Sequence, residues 1–374
     1  AETPVAHKVQ PMATITKITN RYPWNGKIDV EYELSNLRSA FSPIDTLITK
    51  FTSGDIEVTK TNDLSDAELA ARTVCRTFDC SELFGEGKRD AQAQSAAKLS
   101  PLDYDYAVID ISGGANASSY PVTYYKSAPK GGWNVNEYKT DKIVLYYVKA
   151  GTYKGNQCTD QTTTGFWIGV FPVTEAQYAR VMGVGESTTK PKADVSYTTL
   201  RGTDNPNATV TGDSFLKRLC DRTGLDGFDL PTESQWEIAC RAGTTGPYYA
   251  PGATEDVLSS IARHGGNRTS GFYVAADKKR YWFNFVGTYA PNAWGIYDML
   301  GNVFELCLDK WASDRTGCDP NVGPTGGDNT RVVRGGSYEN SLQWCRCAFR
   351  KSTGPSEQQK YQGGRLACSV VIPD

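Results

Sequence analysis

The stretch Arg331–Arg350, RVVRGGSYENSLQWCRCAFR, decides how the chain reads. It ends in a basic, cysteine-bearing strand pattern close to the C-terminus and has the make-up of part of an active site. Two uses are open to such a segment: chemistry at its polar and thiol side chains, or recognition on a scaffold given over to binding.

The rest of the chain bounds the choice. Its 374 residues suffice for two domains or one large one. A hydrophobic share of 39% beside 22% charged residues is that of an ordinary globular protein. A net charge of −2 gives no electrostatic reason to expect nucleic acid as a partner. No apolar run approaches the ~18 residues of a membrane-spanning helix. With 36 Gly and 21 Tyr against 3 Met, strands, tight turns and loops are expected in place of long helices. The opening AETPVAHKVQP has no apolar core segment, so the expectation is a mature chain whose signal peptide has been removed. Ten cysteines without the paired spacing of a zinc site read as disulfides in an oxidising compartment: secreted, periplasmic or cell-surface.

Organisation changes along the chain. KIDVEYEL alternates Ile28, Val30, Tyr32 and Leu34 with acidic residues, the period of a half-buried strand. TLITKFT and DIEVTKT follow, and together they predict a small antiparallel sandwich. From about Tyr104, YAVIDIS and KIVLYYVKAGTY read as buried strands. Two capping boxes then predict helices, Thr174 with Gln177 closing at Gly183, and Thr232 with Gln235 closing at Gly243. SFLKRLCDRTG, with Phe215, Leu216, Leu219 and Cys220 at helical spacing, predicts a third ending at Gly224.

GFWIGVFPVTEAQYARVMG, LPTESQWEIACRAG, NAWGIYDMLGNVFELCLDKW, RVVRGGSY and RCAFR, in this order, resemble the formylglycine-generating enzyme (sulfatase-modifying factor) family from roughly residue 145 to 374. The resemblance implies an α+β, C-type-lectin-like fold. The expected layout is an all-β, Ig-like sandwich over 1–104 followed by the family domain over 105–374. Enzymes of this family oxidise a substrate cysteine to formylglycine with O2 and a Cu(I) held by two cysteines, the soft thiolates that metal prefers. Matched residue by residue, Asn340 stands at the first cysteine's place and Leu342 at the second. Neither forms a thiolate. Cys345 and Cys347 share a face if the segment is a strand, but the resemblance pairs Cys347 with Cys240, and Cys220 with Cys368. Each bond would be worth ~3–5 kcal/mol in the chain-entropy model. Cys75 and Cys80 are close enough for a local bridge, and Cys158, Cys307, Cys318 and Cys345 leave three pairings open. With only His7 and His264, neither a histidine iron site nor a Ser-His-Asp triad is built.

The family also binds structural calcium. DMLGNVFE supplies Asp298, the carbonyls of Gly301 and Val303, and Glu305, a mix of hard oxygens that Ca2+ takes. Phe304 and Leu306 replace family tryptophans in this motif, which implies a repacked floor. The same fold carries the variable proteins of diversity-generating retroelements, with a constant frame around varied positions. Arg334 to Ser337, Arg346, Ala348, Arg350 and Arg365-Leu366-Ala367 form a similar frame. Tyr338, Glu339, Asn340, Gln343, Trp344, Phe349, Lys351 and Tyr361 are then the display positions. Two departures stand out: Glu, Gln, Lys and Trp are not reached by randomising adenines in Asn codons, and Gly364 replaces the usual Phe. The expectation is a secreted, non-catalytic binding protein for a protein or glycan surface. A copper-dependent formylglycine-generating oxidase acting on sulfatase cysteines is the alternative.

Overall fold

In the computed structural model the chain divides into two compact units, one within residues 7–103 and one within 104–370. The structure describes residues 12–20, 27–35, 44–53, 56–65, 68, 73–79, 96–101 and 104–369, except 156–158, 164, 226, 251, 253, 268–271, 275–278 and 314–327.

In the first unit six strands join one antiparallel sheet: β1 (Met12–Asn20), β2 (Lys27–Ser35), β3 (Ile44–Ser53), β4 (Ile56–Asp63), β5 (Thr73–Asp79) and β6 (Ala96–Pro101). Their order is β4-β3-β6-β1-β2-β5. The alternation read on β2 holds where its side chains are described, with Val30 and Tyr32 buried and Glu33 exposed. Cys75 lies on β5, and Cys80 falls outside the described residues.

The second unit starts with β7 (Tyr106–Asp110), β8 (Val122–Tyr125), the one-turn helix α1 (Glu137–Thr140) and β9 (Lys142–Val148). A hairpin of β10 (Gly151–Gly155) and β11 (Thr159–Thr163) leads to β12 (Phe166–Gly169). Helices α2 (Glu175–Met182), α3 (Tyr197–Arg201) and α4 (Phe215–Thr223) precede β13 (Phe228–Asp229). Then come α5 (Glu233–Arg241), α6 (Glu255–Ile261), and the hairpin β14 (Phe272–Val274) and β15 (Lys279–Tyr281). Last are β16 (Phe304–Lys310), β17 (Arg331–Arg334), β18 (Arg350–Thr353), β19 (Gln362–Gly364) and β20 (Ala367–Ser369). One sheet runs β13-β20-β12-β9-β7-β8, antiparallel throughout, and a second runs β18-β17-β16-β19. Only the β16–β19 pair of that second sheet is parallel.

Both capping boxes form as read. Thr174 and Thr232 accept the N–H of Gln177 and Gln235, whose side chains bond back to the threonine N–H. Each satisfies two orphan donors at a helix start. Gly183 and Gly224 close α2 and α4 in the left-handed region. The end of α5 differs: Ala242 takes the left-handed cap at φ 46, one residue before the expected Gly243. All of α5 is buried, against β10 on one side and β16 and β17 on the other. At Gly155 of β10 a Cβ would come within 2.9 Å of Ile238, so the strand lies on the helix only because that residue is glycine.

Candidate functional site

Arg334 ends β17 fully buried and holds the far limb of the quoted stretch in place. Its guanidinium donates to the carbonyls of Cys347 (2.7 Å), Ala348 (3.1 Å) and Phe349 (2.9 Å). It also pairs with Glu237 at 2.6 Å and Glu233 at 3.3 Å, both on α5. Glu233 receives Arg350 at 2.9 Å, and Glu237 receives Arg241 at 2.9 Å. Trp236 and Trp311 cover two of the guanidinium groups, 5.2 Å from Arg334 and 4.5 Å from Arg350. Buried charge is tolerated when it is paired and its donors are bonded, and this lattice meets both conditions at the terminal nitrogens of Arg334, while its Nε is buried without an acceptor. The planar fork of Arg334 makes it suited to grip several carbonyls at once.

Between Arg334 and that clamp the chain doubles back. Gly335 and Gly336 sit at φ 90 and 75. At Gly336 a Cβ would meet Cys345 Sγ at 2.7 Å and the Trp344 carbonyl at 2.8 Å, so glycine lets the two limbs touch. Ser337 Oγ donates to Asn340 Oδ1 at 2.6 Å, and the Asn340 carbonyl accepts the Gly265 N–H at 2.7 Å. A 3-10 turn then covers Leu342–Cys345 where a strand pattern was read, so Cys345 and Cys347 do not share a strand face. Leu342 packs on the core, with its carbonyl taken by the Tyr248 hydroxyl at 3.1 Å. Cys345 is fully buried in that core, and burial pushes its thiol up to about 12. The places that the resemblance gives to copper thiolates hold an amide bonded to Ser337 and a leucine side chain, so the residues do not fit Cu(I).

The exposed side of the loop is aromatic and polar. Trp344 is 36% exposed and lies 4.8 Å from the Phe349 ring. Lys351 sits over Tyr361 at 5.2 Å and over Phe304 at 5.3 Å. Glu339 pairs with Lys360 at 3.1 Å, while Gln343 and Arg346 are exposed. Of the expected display residues, Glu339, Asn340, Gln343, Trp344, Phe349, Lys351 and Tyr361 are exposed or half-buried. Tyr338 is the correction: at 2% exposure its ring packs on Phe283 at 5.8 Å, and its N–H is fixed by the Asn302 carbonyl. That contact also brings in residues the sequence reading missed. Trp282 and Phe285, each 39% exposed, flank Phe283 beside the display loop. The signal was the aromatic run YWFNF, Tyr281–Phe285.

Both expected calcium carboxylates already have partners within the protein. Asp298, buried at φ 56, accepts the Gly287 N–H at 2.7 Å and the Asn302 amide at 3.4 Å, and burial raises its carboxyl to about 6. Glu305 gives both oxygens to Arg365, at 2.9 and 2.7 Å, and accepts the Trp236 indole N–H at 2.6 Å. A guanidinium thus already occupies the cation's side of Glu305. Asp298 alone, with the carbonyls of Gly301 and Val303, does not supply the set of oxygens that Ca2+ takes. Among the described residues no group of three or more His, Cys, Asp or Glu could hold a metal.

The remaining expectations resolve unevenly. Cys240 and Cys347 thiols lie 3.5 Å apart in the core, in contact but beyond the ~2.05 Å of a covalent bond. Cys220 on α4 reaches the Phe228 carbonyl at 4.0 Å, and Phe228 pairs with Cys368 across β13 and β20. Cys307 is buried on β16, and Cys158 and Cys318 fall outside the described residues. His264 is buried, with Nε2 2.9 Å from Ser259 Oγ and Nδ1 accepting the Gly266 N–H, a pair of contacts that holds the loop after α6.

Comparison with known proteins places the chain in a family. The Sulfatase-modifying factor enzyme 1-like domain matches residues 136–370, well over half of the chain, and the chain belongs to that family. It is 33% identical over 182 residues to the formylglycine-generating enzyme of Thermomonospora curvata, covering 45% of this chain and 58% of that protein. The mouse formylglycine-generating enzyme is 32% identical over 150 residues, 38% of this chain and 39% of its own. The chain therefore spans about half, or less, of the length of these relatives. Among solved structures, Treponema denticola variable protein 1 superposes with a TM-score of 0.49 at 24% identity, covering 61% of this chain and 95% of that one.

Proposed function

We propose that this member of the sulfatase-modifying factor family is a secreted, non-catalytic binding protein. It recognises a protein or glycan surface through Trp344, Phe349, Lys351, Tyr361 and the tip Glu339–Gln343. The observation that carries the reading is the state of the residues at the family's thiolate positions. Asn340 is tied to Ser337 and Leu342 is half-buried against the core, while the neighbouring thiol, Cys345, is buried and held protonated. A buried thiol in apolar surroundings is an inert one. What remains on the open side of this face is a pair of tilted, touching aromatics bordered by adaptable polar groups, the composition of a recognition patch. The contact of Cys240 with Cys347 supports an oxidised pair and hence an oxidising compartment. Among the described residues no helix is long and apolar enough to cross a membrane.

The test loads the chain with Cu(I), adds a sulfatase-type cysteine peptide and O2, and looks for aldehyde by mass spectrometry. The expected result is no turnover above a metal-only control. Turnover abolished by Cys345→Ser would establish the oxidase instead. In parallel, glycan and surface-protein arrays are probed with the wild type and Trp344→Ala, and binding that Trp344→Ala leaves intact would move the surface elsewhere.

A further inference from the structure

A shallow cavity of about 450 Å3 lies beside α1, lined by Asn134, Asn136, Lys139, Thr189, Phe285 and neighbouring residues. Apart from Phe285, its lining residues lie outside the recognition surface described above. Lys139 is only 8% exposed, and among the described residues its ammonium has one hydrogen-bond acceptor, Asn134 Oδ1 at 2.9 Å. An ammonium carries three donors, and leaving buried donors without acceptors is costly. Asn134 is itself fixed, since its Nδ2 donates to the Gly287 carbonyl at 2.8 Å. Gly287, at φ 74, permits this only by lacking a side chain, because a Cβ there would stand 2.4 Å from Asn134 Oδ1. The ammonium also lies 5.9 Å over the Phe171 ring, a contact that uses no hydrogen-bond acceptor, so the lysine is held at the cavity with donors to spare. Asp298 is near enough for its charge to favour the protonated lysine, but its carboxylate accepts the Gly287 N–H and no hydrogen bond joins it to Lys139 among the described residues.

We propose that this cavity binds a small organic carboxylate, whose oxygens accept from Lys139 while its apolar body rests on Phe285 at the rim. Charge and shape favour that class. Lys139 is the single cation among the lining residues, which matches a monoanion better than a doubly charged phosphate and excludes an amine. Phe285, 39% exposed, and Val286 give one wall an apolar character. Burial draws the Lys139 pKa down and the negative charge of Asp298 acts the other way, so a bound carboxylate would further favour the charged lysine.

The experiment titrates the full chain with sodium benzoate at constant ionic strength and follows the Asn134 side-chain amide and the Gly287 amide by NMR. Saturable shifts are expected. Lys139→Met should weaken binding by about tenfold or more, as loss of a charge-assisted hydrogen bond requires. Phe285→Ala should weaken benzoate while leaving acetate unchanged, which keeps the test decisive even if Lys139→Met does not fold. Inorganic phosphate and benzylamine serve as controls. Absence of saturation with benzoate, equal shifts with phosphate, or full binding by folded Lys139→Met would overturn the proposal. The recognition reading of the Trp344 face does not depend on the result.

Discussion

Arg334 and Trp344 belong to one short stretch of chain and are held in opposite ways. Arg334 is fully buried, with two carboxylates and three carbonyls on its guanidinium. Trp344 is 36% exposed and its ring has Phe349 for company. The first is gripped at both terminal nitrogens by five acceptors, so the loop base is fixed without help from the tip. The second is held mainly by the path of its own backbone. Recognition loops gain from that division: a pre-organised base lowers the entropy lost on binding, and the tip is left to make the contacts.

The comparison is broken most directly at the base. Arg334→Ala would leave Glu233 and Glu237 buried beside an uncompensated cavity, and the expected loss is about 3–5 kcal/mol in urea unfolding. Arg334→Lys should recover only part of it, since an ammonium cannot reproduce the fork. A fully stable Arg334→Ala would show that the lattice is dispensable. Next in size is the thiol contact under the same loop. Non-reducing peptide mapping of protein produced in an oxidising compartment should find Cys240 joined to Cys347, and Cys347→Ser should cost about 2–4 kcal/mol under oxidising conditions. Recovery of both as free thiols would remove the argument for compartment. At the tip, Trp344→Ala should cost a partner on the order of 2 kcal/mol or more in affinity while unfolding moves little. Equal losses of binding and stability would place Trp344 with the base instead. The smallest effect concerns the metal. With Glu305 saturated by Arg365, calcium or a chelator should leave the melting temperature unchanged, and a clear chelator-induced drop would restore the calcium site.

Local features were legible in the sequence and distant pairings were not. The capping boxes at Thr174 and Thr232 involve atoms within four residues of chain, so spacing alone specifies them. The alternation on β2 is likewise a property of one segment. Glu305 had the right chemistry for calcium, but its fate is decided by Arg365, a residue that only the parallel pairing of β16 with β19 brings alongside. Tyr338 had the right type for a display position, yet the turn at Gly335-Gly336 and the Asn302 carbonyl carry it inward. Cys345 and Cys347 were placed on one face by assuming a strand, and the 3-10 turn separates them. Ala242 takes the left-handed cap next to a glycine suited to that role, which also has a positive φ, so the helix end was legible to within one residue.

Gly336 also sets rules of exchange for the loop. Its neck has no spare room, with Cys345 Sγ and the Trp344 carbonyl standing where any side chain would go. Added residues have to bulge outward from the tip, because nothing can be inserted at the crossing. Entry and exit points therefore stay at constant separation whatever the tip contains. A lineage, or an engineer, can rewrite the exposed Glu339 and Gln343 without refolding what lies beneath, whereas Tyr338, Asn340 and Leu342 are tied to Phe283, Ser337 and the core and set the limits of any graft.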